Sequence, residues 1–124
     1  MISTKGLEKE IAKFNRADRI QDELVSEMNK VGLAIVADIK DNTPIGETGF
    51  LKKGTDFENA YKDGKDVALP VYNNVEYAAH VNYGHRTVSG GYVPGTYFFT
   101  GAEPIGKEMV KRAVEKVIEK VNAE

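Results

Sequence analysis

His80 and His85 are the residues of this chain whose type and spacing could support metal binding or acid–base chemistry. Glu76 and Asn82 lie close to them in sequence. The segment 77–83 alternates like a strand, which would place His80 and Asn82 on one face. His85 would then need a tight turn to reach the same ion. The pattern favours two surface histidines near a sheet edge, and we predict no metal and no cofactor.

Nucleophilic catalysis would require a serine, threonine or lysine beside a base, and Ser89 near His85 is the nearest approach. The surrounding V-S-G-G lacks the pattern of a nucleophile elbow, and a glycine-rich loop positions reacting groups poorly. No phosphate-binding loop accompanies the glycines, and the absence of cysteine excludes disulfides and thiolate chemistry. We therefore predict that the protein is not an enzyme. The opposing hypothesis predicts lost activity when His85 or Ser89 is changed.

A contact function fits the same region better. The stretch Asn73–Arg86 joins an aromatic segment to a glycine and a cationic tip, and the segment His85–Tyr97 is rich in residues that anchor protein interfaces. A loop of that length in a small domain is often functional. The predicted interface residues are Phe50, Tyr77, Tyr83, His85, Arg86, Tyr92, Val93 and Tyr97.

Composition limits the classes of partner. The 124 residues suit one domain, with a hydrophobic fraction of 41% and a charged fraction of 29%. Seventeen basic and 19 acidic side chains give a net charge of −2 without a basic cluster, so sequence-specific nucleic-acid binding is not expected. The first residues contain no apolar run typical of a signal peptide or membrane helix, so we expect no membrane partner.

Hydrophobic periodicity predicts two helices that hold this region in place. Ile20, Leu24, Met28, Val31, Ile35 and Ile39 form one stripe that ends before Pro44, with Asp18 as a candidate N-cap. Leu7 to Phe14 is then either a separate short helix or part of a mobile leader, residues 1–17. A second stripe runs from Ile105 to Val121, and its helix opens near Thr100 to Pro104, either with a T-x-x-E capping pattern or with proline in the first turn. We expect both helices to cover one sheet.

Short runs of β-branched and aromatic residues predict strands between the helices. The candidate strands are Phe57–Tyr61, Val67–Tyr72, Tyr77–Tyr83 and Thr96–Thr100, with a hairpin turn at 62–65 and a long loop at 85–97.

Three motifs in this order resemble the HK97 gp10-like family of phage and prophage proteins. The first, T-P-I-G-E-T-G-F-L, matches the family at Pro44, Thr48, Gly49, Phe50 and Leu51, although Phe50 replaces the usual arginine. The second matches at Glu76, Tyr77, Ala78, Val81, Tyr83 and Gly84, with Asn82 where an acidic residue is common. The H-R-T continuation and the later Gly91–Gly95 run look like versions found in prophages of Gram-positive bacteria. The resemblance extends over nearly the whole chain.

The resemblance implies an α+β fold: a small antiparallel β-sheet packed against a long N-terminal helix and a C-terminal amphipathic helix. It also implies a structural virion protein that joins heads to tails or completes tails, as a ring at the head-proximal end of the tail. The implied partners are copies of itself, hexameric in the family, and the phage connector and tail tube proteins. Passive contact with translocating DNA is left open. Assembly would take place in the bacterial host cytoplasm, and the final location would be the virion head–tail junction.

Two other functions remain open at this point. A tail terminator would control tube length with a comparable ring-forming body. A cellular small-ligand-binding module would use Tyr72, Tyr77, Tyr83 and Tyr92 as a pocket and would be stabilised by its ligand. For the joining role, we hypothesise that the segments 85–97 and 44–53 become ordered when neighbouring proteins dock.

Overall fold

The computed structural model describes residues 5–46 and 49–124, with side chains from Arg16 onward. The fold is α+β, as predicted, with a long N-terminal helix, short antiparallel strand pairs and a C-terminal helix. In chain order the elements are α1 (Lys5–Asp41), α2 (Phe50–Lys53), β1 (Thr55–Phe57), β2 (Tyr61–Asp63), β3 (Asp66–Ala68), β4 (Val71–Asn73), α3 (Ala78–Tyr83), β5 (Gly84–Arg86), β6 (Tyr92–Pro94), a 3₁₀ turn (Thr100–Ala102) and α4 (Glu103–Asn122).

The first helix, α1, is continuous over 37 residues, which corresponds to about 55 Å at 1.5 Å per residue. Asp18 lies inside it, so the predicted N-cap at that residue is wrong. Residues 1–4 of the predicted leader lie outside the described residues. The helix ends before Pro44, as predicted, where the Thr43 hydroxyl donates to the carbonyl of Ile39 at 2.5 Å. That bond satisfies one of the carbonyls that a helix end leaves free.

The last helix, α4, packs antiparallel to α1. Ion pairs mark the direction: Lys116 with Glu27 at 3.4 Å, Lys120 with Glu23 at 2.8 Å, and Arg19 with Glu124. Of the predicted apolar stripe of α4, Ala113, Val117 and Val121 are buried, whereas Ile105 at its start is exposed. The main neighbour of α4 is therefore α1, where we had expected a sheet.

Two hydrophobic clusters form the core, and Ile35 of α1 packs against both. The first cluster joins α1 to α4 and the β2–β3 hairpin through the buried residues Met28, Val31, Ala60 and Ala113. The second joins the end of α1 to α2, α3 and the start of α4 through Ile39, Leu51, Phe98 and Ala102. The second cluster is the base on which the candidate site rests.

The strands β1 to β4 form one long interrupted hairpin. β1 pairs with β4 (Phe57 opposite Val71), and β2 pairs with β3 (Tyr61 opposite Ala68). Between these two strand pairs, residues 58–60 lie opposite residues 69–70. The arm that contains β1 and β2 therefore carries a bulge. Within the bulge, the backbone N–H of Ala60 donates to the side-chain oxygen of Asn29 on α1 at 2.7 Å. The predicted turn at 62–65 is confirmed, with Gly64 at φ 60°.

Two predicted strands are wrong. Tyr77–Tyr83 is largely the helix α3, because Ala78 and Ala79 favour a helix and burial acts on only one side of the segment. Thr96–Thr100 is a turn that leads into the 3₁₀ turn and α4. The described strands form three separate two-stranded sheets, where a single sheet was expected.

The pairing of α1 with α4 predicts a pH effect at Glu27. Hydrogen bonding to Lys30 holds the pKa of the Glu27 carboxyl below its ordinary value of 4.5, assisted by Lys116. A lowered folded-state pKa stabilises the fold above pH 4.5, and the contribution is lost as the pH falls through the folded-state pKa. We expect Glu27→Gln to cost on the order of 0.5 kcal/mol at pH 7 and nothing in strong acid. Urea denaturation across the pH range measures this difference, and a penalty that persists in strong acid would contradict it.

Candidate docking surface

Asn82, at the end of α3, positions the surface that the sequence singled out. Its side chain is 3% exposed. Its Oδ1 accepts hydrogen bonds from the backbone N–H groups of Phe99 at 3.0 Å and Thr100 at 3.1 Å, and from the Thr100 hydroxyl at 3.3 Å. Its backbone carbonyl accepts from the N–H of Tyr97 at 3.0 Å. One asparagine thus caps the turn before α4 and ties it to α3.

The backbone at Gly84 and Gly95 brings the next hairpin against α3. Gly84 has φ 86°, a conformation that L side chains rarely adopt. A Cβ at Gly84 would lie 2.5 Å from the carbonyl oxygen of Val93, and one at Gly95 would overlap the carbonyl oxygen of Asn82. Only hydrogen fits at either position, so both glycines are required by close packing of backbone on backbone.

The predicted long loop at 85–97 contains a hairpin. His85 pairs with Val93 and Arg86 with Tyr92, so residues 87–91 alone form the turn. The N–H of Thr87 donates to the carbonyl of Gly91 at 2.8 Å, and the Thr87 hydroxyl accepts from the N–H of Gly91 at 2.9 Å. The turn is therefore held by hydrogen bonds between its own residues, and the ordering of the segment 85–97 on docking stays a prediction.

Five of the eight predicted interface residues come together at this hairpin and the end of α3, and Tyr97 lies beside them. The Tyr92 hydroxyl donates to the carbonyl of Tyr83 at 3.1 Å. We call this group the docking surface: Tyr83, His85, Arg86, Tyr92, Val93 and Tyr97. Its tyrosines and Val93 are between 43% and 62% exposed, while His85 is half-buried.

The other two predicted residues, Phe50 and Tyr77, form a separate patch. Both line a shallow depression between α2 and the start of α3, with Val75 at its base. The structure therefore divides the predicted interface into two areas, one at each end of α3.

Tyr97 has an unusual backbone. Its φ of 52° is the one positive value found at a non-glycine residue within the described chain. The left-handed region costs a non-glycine residue about 1 kcal/mol. The bonds to Asn82 and from Gly101 at 2.7 Å hold it there. Such strain at an exposed aromatic residue points to a use for the side chain.

The two histidines contact each other without forming a metal site. The rings of His80 and His85 meet edge-on with centroids 5.3 Å apart. Across the described residues, no group of three or more histidine, aspartate or glutamate side chains could hold a metal ion. Ser89 lies at the hairpin tip, 3.1 Å from the Thr87 hydroxyl. The enzyme hypothesis needs Ser89 to pair with a base, whereas this contact of its side chain is with a second hydroxyl group.

A cleft beside α3 contains residues that the interface prediction omitted. Tyr72 of β4 and Tyr83 line it with Phe98 at its base, and its volume is about 260 Å³. Tyr77 and Tyr92, the other tyrosines of the ligand-pocket hypothesis, are not among the residues lining it. That volume is slightly below the roughly 300 to 1,000 Å³ of typical ligand pockets. The cleft is better suited to a partner's side chain than to a small ligand.

No helix in the described part of the chain has the length and apolarity to cross a membrane.

Comparison with known proteins identifies the family. The model of the HK97 gp10-like family, described as "Bacteriophage HK97-gp10, putative tail-component", matches residues 5–84. The match includes the first two motifs and ends where the β5–β6 hairpin begins, so it is shorter than the resemblance we described. Searches of curated proteins and of solved structures return no match. Since the matched residues make up more than half of the chain, the protein belongs to the HK97 gp10-like family of bacteriophage proteins.

Proposed function

We propose that the protein is a structural component of the virion that joins heads to tails, or completes the tail, as a ring at the head-proximal end of the tail. The observation that carries this proposal is the docking surface, where exposed tyrosines stand on a backbone held by Asn82, Gly84 and Gly95. Rigid aromatic side chains give a large contact area at a small entropic cost.

The proposed partners follow from the family. The ring contains further copies of this chain, hexameric as the resemblance implies, and its two ends meet the connector and the tail tube. Arg86 is exposed at the docking surface, where it can pair with a carboxylate on a partner protein. Assembly would take place in the host cytoplasm and end at the head–tail junction of the virion.

Deleting the gene from the phage or prophage tests the function. Electron microscopy of the resulting particles should show full heads and separate tails of normal length. Overlong tail tubes would identify a tail terminator. Infectious particles of normal appearance would disprove a role at the junction.

The docking surface predicts a separation between folding and assembly. Changing Tyr92 and Tyr97 to serine should leave the thermal unfolding temperature within a few degrees of wild type, because both side chains are more than half exposed. The same double variant should abolish restoration of infectivity when it is supplied to the deletion strain. Complementation titre and thermal denaturation are the two measurements.

Matched variants make this test specific. Tyr61→Ser removes an equally exposed tyrosine from β2, outside the docking surface, and should complement normally. Tyr97→Gly relieves the positive φ and should be close to neutral in stability while assembly is reduced. Full complementation by the double variant would mean that the docking surface does not contact a partner.

A further inference from the structure

An apolar groove lies apart from the docking surface and against the second core cluster, whose residues Ile39 and Ala102 line it. Its floor is α1, and its walls are the β3–β4 arm and the start of α4. The groove has a volume of about 500 Å³, within the range of sites that enclose a ligand or an anchoring side-chain group. Residues that line it include Met28, Ile35, Leu69, Val71, Phe99 and Val110.

The charges at the groove are already paired. Glu103 and Lys107 are the charged lining residues, and their side chains contact each other at 3.0 Å one helical turn apart. An apolar occupant would therefore cover carbon-rich walls without removing an unpaired charge from water. A polar or charged occupant would gain little here.

The same chain carries a segment with the matching pattern. Leu7, Ile11 and Phe14 occur at positions i, i+4 and i+7 of α1, the spacing by which an amphipathic helix inserts into an apolar groove. Among the residues whose side chains the structure describes, the pair of Arg19 with Glu124 marks the end of the contact between α1 and α4. The backbone from Lys5 to Asp18 thus continues for about 20 Å beyond that contact.

One copy cannot fill its own groove with this segment. Ile11 and Ile35 belong to one continuous helix and lie 24 residues apart, which is roughly 36 Å along the axis. We infer that positions 7, 11 and 14 of one copy occupy the groove between α1 and α4 of a second copy. Because donor and acceptor are different surfaces, the contact is heterologous and repeats from copy to copy, closing a ring where the rotation permits.

This contact goes beyond the docking surface. If it fails, the proposed joining role can still hold through other contacts. If the gene deletion leaves normal particles, the contact can still form in solution. The two proposals therefore fail separately.

The first measurement is self-association of the full chain by sedimentation velocity over a concentration series. Wild type should form oligomers. The triple variant Leu7→Gln, Ile11→Gln, Phe14→Gln keeps good helix formers in place and should self-associate at least about a hundredfold more weakly. A control with Lys9, Ala12 and Arg16 changed to glutamine alters the opposite side of the helix and should behave as wild type.

The second measurement distinguishes a heterologous contact from any other. Val110→Lys places a charge in the groove, with a stem long enough to reach solvent, and should also be monomeric. Mixed with the triple variant, it should yield a one-to-one heterodimer and nothing larger, because each pair retains a single intact contact. If circular dichroism shows Val110→Lys unfolded, Leu69→Lys replaces it.

Three outcomes would overturn the inference. These are a monomeric wild type at every concentration, a triple variant that assembles like wild type, and a mixture of the two variants that remains monomeric. An apolar dye that binds the groove equally in wild-type oligomers and in the monomeric triple variant would also show that no second copy covers it.

Discussion

Replacing Asn82 with alanine is expected to lower the free energy of unfolding by about 2–4 kcal/mol. The reason is that the substitution leaves the N–H groups of Phe99 and Thr100 without their acceptor in a buried position. An unsatisfied buried donor costs roughly 1–3 kcal/mol, and here two donors lose the same partner. Urea denaturation measures the loss. Complementation should fail as well, since the turn before α4 also holds Tyr97.

Asn82→Asp is the matched control. A carboxylate keeps the acceptor oxygen for both N–H groups and suits the N-terminal end of a helix. It loses only the donor that bonds the Thr100 hydroxyl at 3.2 Å, and that hydroxyl can donate to the carboxylate. We expect Asn82→Asp to retain most of the stability at pH 7. If aspartate is as damaging as alanine, the acceptor explanation is wrong.

This reasoning also interprets the second family motif. The resemblance implies an acidic residue where this chain has Asn82, and an aspartate there would offer an oxygen to the same two N–H groups. We therefore expect the acceptor, and not the charge, to be the shared property. The predicted T-x-x-E cap at Thr100 is wrong, because Ala102 precedes α4 without a side-chain cap and the Thr100 hydroxyl bonds with Asn82 instead. Pro104 lies in the first turn of α4, which is the alternative that the sequence offered.

The helices could be predicted from the sequence because their stripes are long and regular. Met28, Val31 and Ile39 on α1 and Val117 on α4 are buried, as their spacing indicated. The turn at 62–65 could be predicted because it depends on local residues. The predicted strand at Tyr77–Tyr83 was wrong because seven residues of alternating character fit a short helix equally well. Tertiary contacts to Asn82 decide between these structures.

The sequence could indicate where in the chain the candidate site lies, but it could not indicate how its side chains are arranged. Aromatic composition pointed to Tyr83, Tyr92 and Tyr97, and all three are exposed at the end of α3. Sequence spacing could not show that Phe50 and Tyr77 form a patch separate from the docking surface, and it could not show the role of Asn82. Both depend on contacts between residues distant in sequence. The signal that could have revealed the hairpin is the pair of glycines 84 and 95, whose distance along the chain suits two short strands and a turn.

Gly84→Ala is expected to destabilise the protein by about 2–6 kcal/mol and to push β6 away from β5 at the base of the hairpin. Two costs add. The combination of φ 86° and ψ 172° at Gly84 is used almost only by glycine, and it would cost alanine about 1–3 kcal/mol. The new Cβ would also lie 2.5 Å from the Val93 carbonyl oxygen and 2.7 Å from the nitrogen of Gly95, and overpacking of this kind costs about 1–3 kcal/mol. Thermal denaturation and complementation titre are the measurements.

Gly90→Ala is the control without a close contact, because Gly90 has a φ of 89° with nothing within 4 Å of its added Cβ. It should lose about 1 kcal/mol from the backbone term alone and should still complement, since the hairpin turn is open to solvent. The excess loss in Gly84→Ala then reports the close approach of β5 to β6 at Gly84, together with the more restricted backbone there. Equal losses in the two variants would mean that the hairpin is not packed closely at Gly84. In that case the tyrosines of the docking surface would have no rigid support, and the joining proposal would lose the observation that carries it.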